Sequence, residues 1–361
     1  MSSPAWFIRS VSVQKFGCLK DVNAALTPLH AFIGPNDSGK STLLRALRTA
    51  MHLVRRSFIR APNDEIQPFD PGPLCSGTAM QLAFGPDRAK SHFNLKILDE
   101  GNFAESGGSK PLLASQRSWI GPRSTKRGST LTWPPEILPL LDSGARLVHL
   151  NPSSLREPSE LIPEGGGNEL IDEYGRGLPA IYDAILNRGD DAFLRMVEGV
   201  RRLFPTIKAV RLKVMSKSTK ALEVELVSGE RVPAAFLSEG LLFYLAFAAL
   251  QHLDPVALLL IEEPENGLHP ARIADVMRIL REISSTTQVV LTTHSPLVIN
   301  EMQGDEVSVV TRDRDKGTMV RRLDSTPNFI ERSKVYALGE LWLSYANGDD
   351  EGPLLTAQVV T

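Results

Sequence analysis

The chain has 361 residues, a formal net charge of −2, 42% hydrophobic and 23% charged residues. That balance suits a soluble globular enzyme of one large or two smaller domains, and it excludes a global field that would gather nucleic acid. Cys18 and Cys75 lack metal-ligand spacing and MSSPAWFIRS lacks the pattern of a signal peptide, so a reduced, cytoplasmic protein is expected.

From Trp6 to about Leu53 the pattern reads strand, turn, strand, glycine loop, helix. Ile8, Val11 and Val13 are β-branched, Phe16-Gly17 begins a turn, and Leu29–Ile33 is a short apolar run suited to a buried strand. Gly34–Ser41 then reads GPNDSGKS, the G-x-x-x-x-G-K-S phosphate loop. Thr42–Leu53 follows with leucines at 43, 44 and 47, a helical spacing. Strand, loop and helix N-terminus together aim backbone N–H groups and a helix dipole at an anion. The expected cradle runs through Gly34, Pro35, Asn36, Asp37, Ser38, Gly39, Lys40, Ser41 and Thr42. Lys40 should reach the β- and γ-phosphates, and the Ser41 hydroxyl should hold Mg²⁺. Gly34 and Gly39 are expected where a Cβ would block the turn or the phosphate.

Arg55 to about Ser76 reads as irregular, rich in Pro, Asp and Arg. Met80–Phe84 and His92–Leu98 read as two strands around Gly85-Pro86-Asp87. Gly101–Lys110 and Gly121–Thr130 read as Gly/Ser-rich loops, and Glu164–Asn168 as another flexible site. Helices are expected at Leu178–Leu186 and Asp191–Phe204, the second stopped by Pro205. Val210, Leu212 and Val214 alternate with Arg211 and Lys213, and Leu222, Val224 and Leu226 with Glu223 and Glu225. Opposite charges on the two outer faces predict an antiparallel hairpin. Leu241–Ile261 is apolar enough to suggest a membrane span, but Gln251, His252, Asp254 and Pro255 interrupt it. It reads instead as a buried helix, Leu241–His252, a turn, and a buried strand, Val256–Ile261.

That strand opens VALLLIEE, apolar residues ending in two carboxylates, Glu262 and Glu263. Beside a phosphate loop, Glu262 can hold the Mg²⁺ shell and Glu263 can serve as general base to an attacking water. The alternative is a solvated charged strand end, which two acids straight after the apolar residues and before Pro264 disfavour. Gln288–Pro296 reads QVVLTTHSP, a strand with His294 at its exit, where it can sense a γ-phosphate. Leu237-Ser238-Glu239-Gly240 precedes the apolar helix. Ser238 suits a plain N-cap, and the same helix end suits a phosphate.

In this order, the phosphate loop, LSEG, LLLIEEPENGLHP and LTTHSP resemble the head of the ABC-type ATPases. Within them the chain looks like the AAA-type ATPases related to the OLD (overcoming-lysogenization-defect) and RecF/SMC group. KFGCLKDVNAAL and Leu338-Gly339-Glu340-Leu341-Trp342 add to the likeness. The resemblance covers both ends well and residues 55–207 loosely. It implies an α/β fold with a mostly parallel sheet, an N-terminal antiparallel β layer and an inserted helical lobe. It places the head at 1–54 and 207–361 and the lobe at 55–206. It makes Ser238, Glu239 and Gly240 the signature motif, Asn266–His269 the D-loop region and His294 the switch histidine. Gln81 is its best candidate for the glutamine that joins Ser41 and Glu262 at Mg²⁺. It also implies a head-to-tail homodimer sandwiching two nucleotides.

The residues after His294 are too few for the TOPRIM nuclease domain of some OLD proteins. The implied role is therefore an ATPase subunit of a nucleic-acid-directed, phage-defence complex with a separate nuclease or effector chain. The alternatives are a RecF-like DNA-repair ATPase that binds DNA directly, and a non-hydrolysing ATP-gated interaction module. No membrane association is expected. Basic clusters at Arg55–Arg60, Arg117–Arg127, Arg201–Lys220 and Arg312–Arg322 read as solvated faces, with Arg117–Arg127 the first to test for DNA.

Overall fold

Interrupted alternation of buried and exposed positions marks the first two strands of the computed structural model, which describes residues 7–56, 74–85, 91–97, 115–120, 143–326, 329–334 and 336–346. β1 (Ile8–Phe16) buries Ile8, Val11, Val13 and Phe16, and β2 (Leu19–Ala25) buries Leu19, Val22 and Ala24. They pair antiparallel, Val11 opposite Ala24 and Val13 opposite Val22. β3 (Leu29–Ile33) is buried at every position, as a strand between two others in a covered sheet must be. The phosphate loop leads from it into α1 (Lys40–Arg56), whose Leu43, Leu44, Leu47, Ala50, Met51 and Val54 are buried. β4 (Leu74–Phe84), β5 (Ser91–Ile97) and β6 (Ser115–Ile120) extend the first antiparallel sheet in the order β2-β1-β4-β5-β6.

The remaining elements are β7 (Ala145–Val148), α2 (Pro152–Arg156), β8 (Ser159–Glu160), α3 (Leu178–Asn187), α4 (Ala192–Leu203), β9 (Ile207–Val214), β10 (Thr219–Leu226), β11 (Arg231–Pro233), α5 (Glu239–Leu250), β12 (Leu258–Glu262), α6 (Pro270–Ile283), β13 (Gln288–Thr293), α7 (Pro296–Asn300), β14 (Val307–Asp313), β15 (Gly317–Arg322), α8 (Phe329–Arg332) and α9 (Leu338–Ala346). The chain divides into two compact units. Unit 1 is Met1–Arg146, Val256–Leu260 and Ser284–Thr361; unit 2 is Leu147–Pro255 and Ile261–Ile283.

Unit 1 carries the antiparallel sheet and a six-stranded sheet ordered β15-β14-β3-β13-β12-β7. β13 and β14 each run parallel to β3, and β15 closes the edge antiparallel to β14. β7 and β12 run on from unit 1 into unit 2. The α/β fold with a mostly parallel sheet and an N-terminal antiparallel layer is therefore what the chain adopts. His30 sits inside β3, fully buried between the Thr27 and Ser308 hydroxyls. Burial and the Arg322 charge lower its pKa from 6.5 to about 3, so the ring is neutral.

Unit 2 packs α3 and α4 on the β9–β10 hairpin, which is why residues 207–255 join the helices rather than unit 1. The hairpin is antiparallel, with Leu212 opposite Leu222 and Val210 opposite Val224. Its acidic face is not open to water: Glu223 and Glu225 are buried, and Lys208 and Arg211 fold over Glu225. Those two hydrogen-bonded cations hold the Glu225 carboxyl below its usual range. α5 is apolar on all sides and buried from Leu241 to Leu250, with the Tyr182 hydroxyl donating to its Leu245 carbonyl at 3.0 Å. The apolar run Leu241–Ile261 thus resolves into this helix and β12, and no described helix is long and apolar enough to cross a membrane. The expected loops at 101–110 and 121–130 lie outside the described residues.

Candidate functional site

In unit 1 the phosphate loop is shaped by backbone that only small residues permit. A Cβ on Gly34 would lie 2.0 Å from the Val310 carbonyl oxygen. Gly39 has φ +104, and a Cβ there would lie 2.5 Å from Thr318 Oγ1. Asp37 also takes a left-handed conformation, φ +60. The loop is braced from outside, since Thr318 Oγ1 donates to the Ser38 carbonyl at 2.9 Å and Arg312 to the Asp37 carbonyl at 3.1 Å. Lys40 is buried, its Nζ 2.8 Å from the carbonyl oxygens of both Gly34 and Pro35. The ammonium therefore sits inside the curl of the loop, where a phosphate chain would meet it. Ser38 Oγ is buried without a hydrogen-bond partner, and Ser41 is exposed on the first turn of α1.

The exit of β13 lies beside that loop. Thr292 pairs with Phe32 and Thr293 with Ile33 in parallel register, so His294 and Gly34 leave adjacent strands at one sheet edge. His294 is half-buried, and Thr292 Oγ1 is buried without a partner. The late LGELW motif finds its reason here. Gly339 donates its N–H to Asn300 Oδ1 at 2.7 Å, and a Cβ on it would come within 2.4 Å of the Pro296 carbonyl oxygen. α9 thus packs closely on α7, the helix that follows His294.

Unit 2 holds the carboxylates. Glu262 ends β12 with its side chain 8% exposed. Its Oε2 lies 2.7 Å from Nδ1 of His149, and its Oε1 is buried without a partner. A carboxylate with one oxygen tethered and one buried and open suits a hard cation or a water of its shell. Glu263 has φ +47, a conformation that costs a non-glycine residue on the order of 1–3 kcal/mol. Its Oε2 accepts from Asn266 Nδ2 at 2.7 Å while its carbonyl accepts from the Asn266 N–H at 3.0 Å. The turn closes at Gly267, φ +69, where a Cβ would lie 2.1 Å from the Phe243 ring of α5.

A Cβ on Gly240 would in turn sit 3.2 Å from the Gly267 carbonyl oxygen. The carboxylate turn and the start of α5 are therefore packed on one another. Ser238 occupies the N-cap position of α5 with φ −62 and ψ 148, yet its side chain makes no capping hydrogen bond. Ser238 and Glu239 are exposed and Gly240 is half-buried. The hydroxyl that a plain cap would use is left for another acceptor or donor.

Gln81 lies mid-strand in β4, exposed, opposite Ser12 and Asn94 in the antiparallel sheet. The residue found on Glu262 is His149, which sequence reasoning missed. Its signal was faint: one histidine directly after a short apolar run, as His294 follows β13. Among the described residues no group of three or more His, Cys, Asp or Glu side chains forms a metal cluster. Much of the Arg201–Lys220 basic cluster is spent internally, Arg201 on the Lys208 carbonyl, Lys208 and Arg211 on Glu225, and Lys220 on Asp183. The Arg117–Arg127 cluster lies largely outside the described residues.

A family model described as "AAA domain, putative AbiEii toxin, Type IV TA system" matches residues 29–300. Among curated proteins, an "OLD nuclease" of Thermus scotoductus is 26% identical over 351 residues, 87% of this chain. The match spans 63% of that relative's length. Among solved structures, an Smc head bound to the C-terminal winged-helix domain of ScpA matches with a TM-score of 0.57 and 17% identity, over 88% of this chain and 98% of that one. A second, an Smc head with an extended coiled coil bound to the C-terminal domain of ScpA derived from Pyrococcus furiosus, matches with a TM-score of 0.52 and 15% identity, over 91% and 100%. The structural likenesses show the fold of the Smc heads, and the family model covers most of the chain.

Proposed function

We propose that this chain, which belongs to the AAA-domain family matched over residues 29–300, binds ATP with Mg²⁺ and hydrolyses it. The observation that carries this is Glu262: a buried carboxylate with one oxygen open, followed directly by Glu263, in a chain whose phosphate loop admits no Cβ at Gly34. The unpartnered hydroxyls of Ser38 and Thr292 support the same reading, since buried polar groups without partners are costly unless a ligand meets them.

The Gly34–Gly39 backbone and Lys40 would bind the phosphates, Ser41 would ligate Mg²⁺, and Glu262 would take a place in a Mg²⁺ shell. Bound ATP and Mg²⁺ would supply a phosphoryl group whose charge the metal partly neutralises. Glu263 accepts the proton of the attacking water. For that its Oε2 exchanges Asn266 for the water, and the left-handed backbone aims the carboxylate while it does so. His294 hydrogen-bonds the γ-phosphate. Ser238, Glu239 and Gly240 serve the nucleotide of a second copy, so that a head-to-tail dimer holds two shared sites. Phosphate release measured with Mg²⁺ and ATP tests the reading. Turnover absent from the wild type, or equal in Glu263→Gln, overturns it.

The biological role we propose is the ATPase component of a cytoplasmic, nucleic-acid-directed defence complex whose nuclease is a separate chain. The relative named a nuclease supports the direction of this proposal. Mass spectrometry of the native complex tests it, and a complex without any nuclease would end it.

A further inference from the structure

We propose that His149 is a positioning residue for Glu262, holding one carboxylate oxygen so that the other is presented to the Mg²⁺ shell. The proposal rests on the ATP–Mg²⁺ reading above and goes beyond it in assigning a residue that none of the site motifs contains. The contact is His149 Nδ1 to Glu262 Oε2 at 2.7 Å, with the Glu262 side chain 8% exposed and Oε1 buried without a partner. β7 and β12 are neighbours in the sheet, and the residue after β7 meets the last residue of β12.

His149 is itself well anchored. Its backbone N–H donates to the Glu173 carbonyl at 2.8 Å, and the Asn151 N–H donates to the Tyr174 carbonyl at 3.0 Å. Its ring meets Tyr174 edge to face, with centroids 6.1 Å apart at 84°. The ring is thus fixed from its main chain and from one edge before it touches Glu262. The need for a tether follows from residue type. An aspartate at this strand end would have two side-chain torsions, whereas glutamate has three, and its longer arm leaves the carboxylate free to turn. A donor on one oxygen removes that freedom and sets the direction of the other. Outer partners of this kind change metal affinity about 10–100-fold when they are lost.

The test compares the full chain with His149→Phe and His149→Gln. Phenylalanine keeps the ring against Tyr174 and deletes the donor; glutamine restores an N–H donor. Mn²⁺ affinity is read by electron paramagnetic resonance in the presence of a non-hydrolysable ATP analogue, and analogue affinity is read separately without metal. The expected result is Mn²⁺ binding about 10–100-fold weaker in His149→Phe, closer to wild type in His149→Gln, with metal-free analogue affinity unchanged in both. Mn²⁺ affinity in His149→Phe equal to wild type overturns the proposal, as does an equal loss of metal-free analogue affinity, which marks a packing role. A wild-type chain that takes up no Mn²⁺ with the analogue overturns the reading of the site itself, an outcome distinct from either variant result.

Discussion

The phosphate loop of unit 1 and the carboxylates of unit 2 are held by different material. In unit 1 the GPNDSGKS loop is shaped by main chain: two glycines that exclude a Cβ, and carbonyls that hold Lys40. In unit 2 the carboxylates are set by other side chains, Glu262 by His149 and Glu263 by Asn266. A main-chain cradle is local in sequence and tolerates few residue types. A side-chain tether can join distant positions, here 113 residues apart, and tolerates any donor that reaches. The first kind is therefore written as a motif and the second is not.

Substitutions that separate binding from chemistry test this contrast most strongly. Glu263→Gln should lower turnover by about 10²–10⁴-fold while nucleotide affinity stays near wild type, because it removes a base and leaves the cradle intact. Loss of affinity instead would assign Glu263 to binding rather than to chemistry. Lys40→Ala should act the other way. It removes a charged phosphate contact worth about 1.5–3 kcal/mol, and equilibrium binding should weaken by one to two orders of magnitude. Unchanged affinity would take Lys40 out of the site.

Acid should also distinguish the units. The folded pKa of His30, about 3, lies below its unfolded value of 6.5. Between those values the unfolded chain binds more protons, so stability falls as pH drops below 6.5, with a limiting slope of about 1.4 kcal/mol per pH unit. Glu225 in unit 2 has a lowered folded pKa, so its contribution is present above 4.5 and is lost only as pH falls below that value. Hydrogen exchange between pH 6.5 and 5 should show β3 and its neighbours losing protection before the β9–β10 hairpin. His30→Gln should remove that early loss, and an unchanged acid slope in the variant would assign the effect elsewhere.

The smallest expected effect is the most specific. If each site is shared between two copies, Lys40→Ala and Ser238→Arg chains should be inactive alone. Random mixing should then restore roughly a quarter of wild-type turnover, since half the dimers are mixed and half their sites intact. No recovery despite demonstrated exchange would mean that the sites are not shared or fire only together. Full activity of Ser238→Arg alone would remove Ser238 from the machinery.

The sequence by itself determined the parts whose chemistry is local. GPNDSGKS can be read without a structure because its glycines, lysine and serine are contiguous, although the atoms that exclude a Cβ at Gly34 and Gly39 belong to Val310 and Thr318, and the buried run of β3 follows from residue type. Glu262 and Glu263 were legible as a pair for the same reason. Tertiary structure decided what each of them touches. The sheet makes β7 the neighbour of β12 and so gives Glu262 a histidine; the fit of Gly267 against Phe243 sets the turn that carries Glu263; and the close approach of Gly339 to Pro296 gives the late LGELW motif its meaning. The hairpin shows the limit from the other side. Alternation predicted its pairing correctly but placed its acids in water, because periodicity reports which face a side chain takes and not which cations fold over that face. Contacts between residues far apart in the chain depend on how strands are ordered, and strand order is a property of the whole fold.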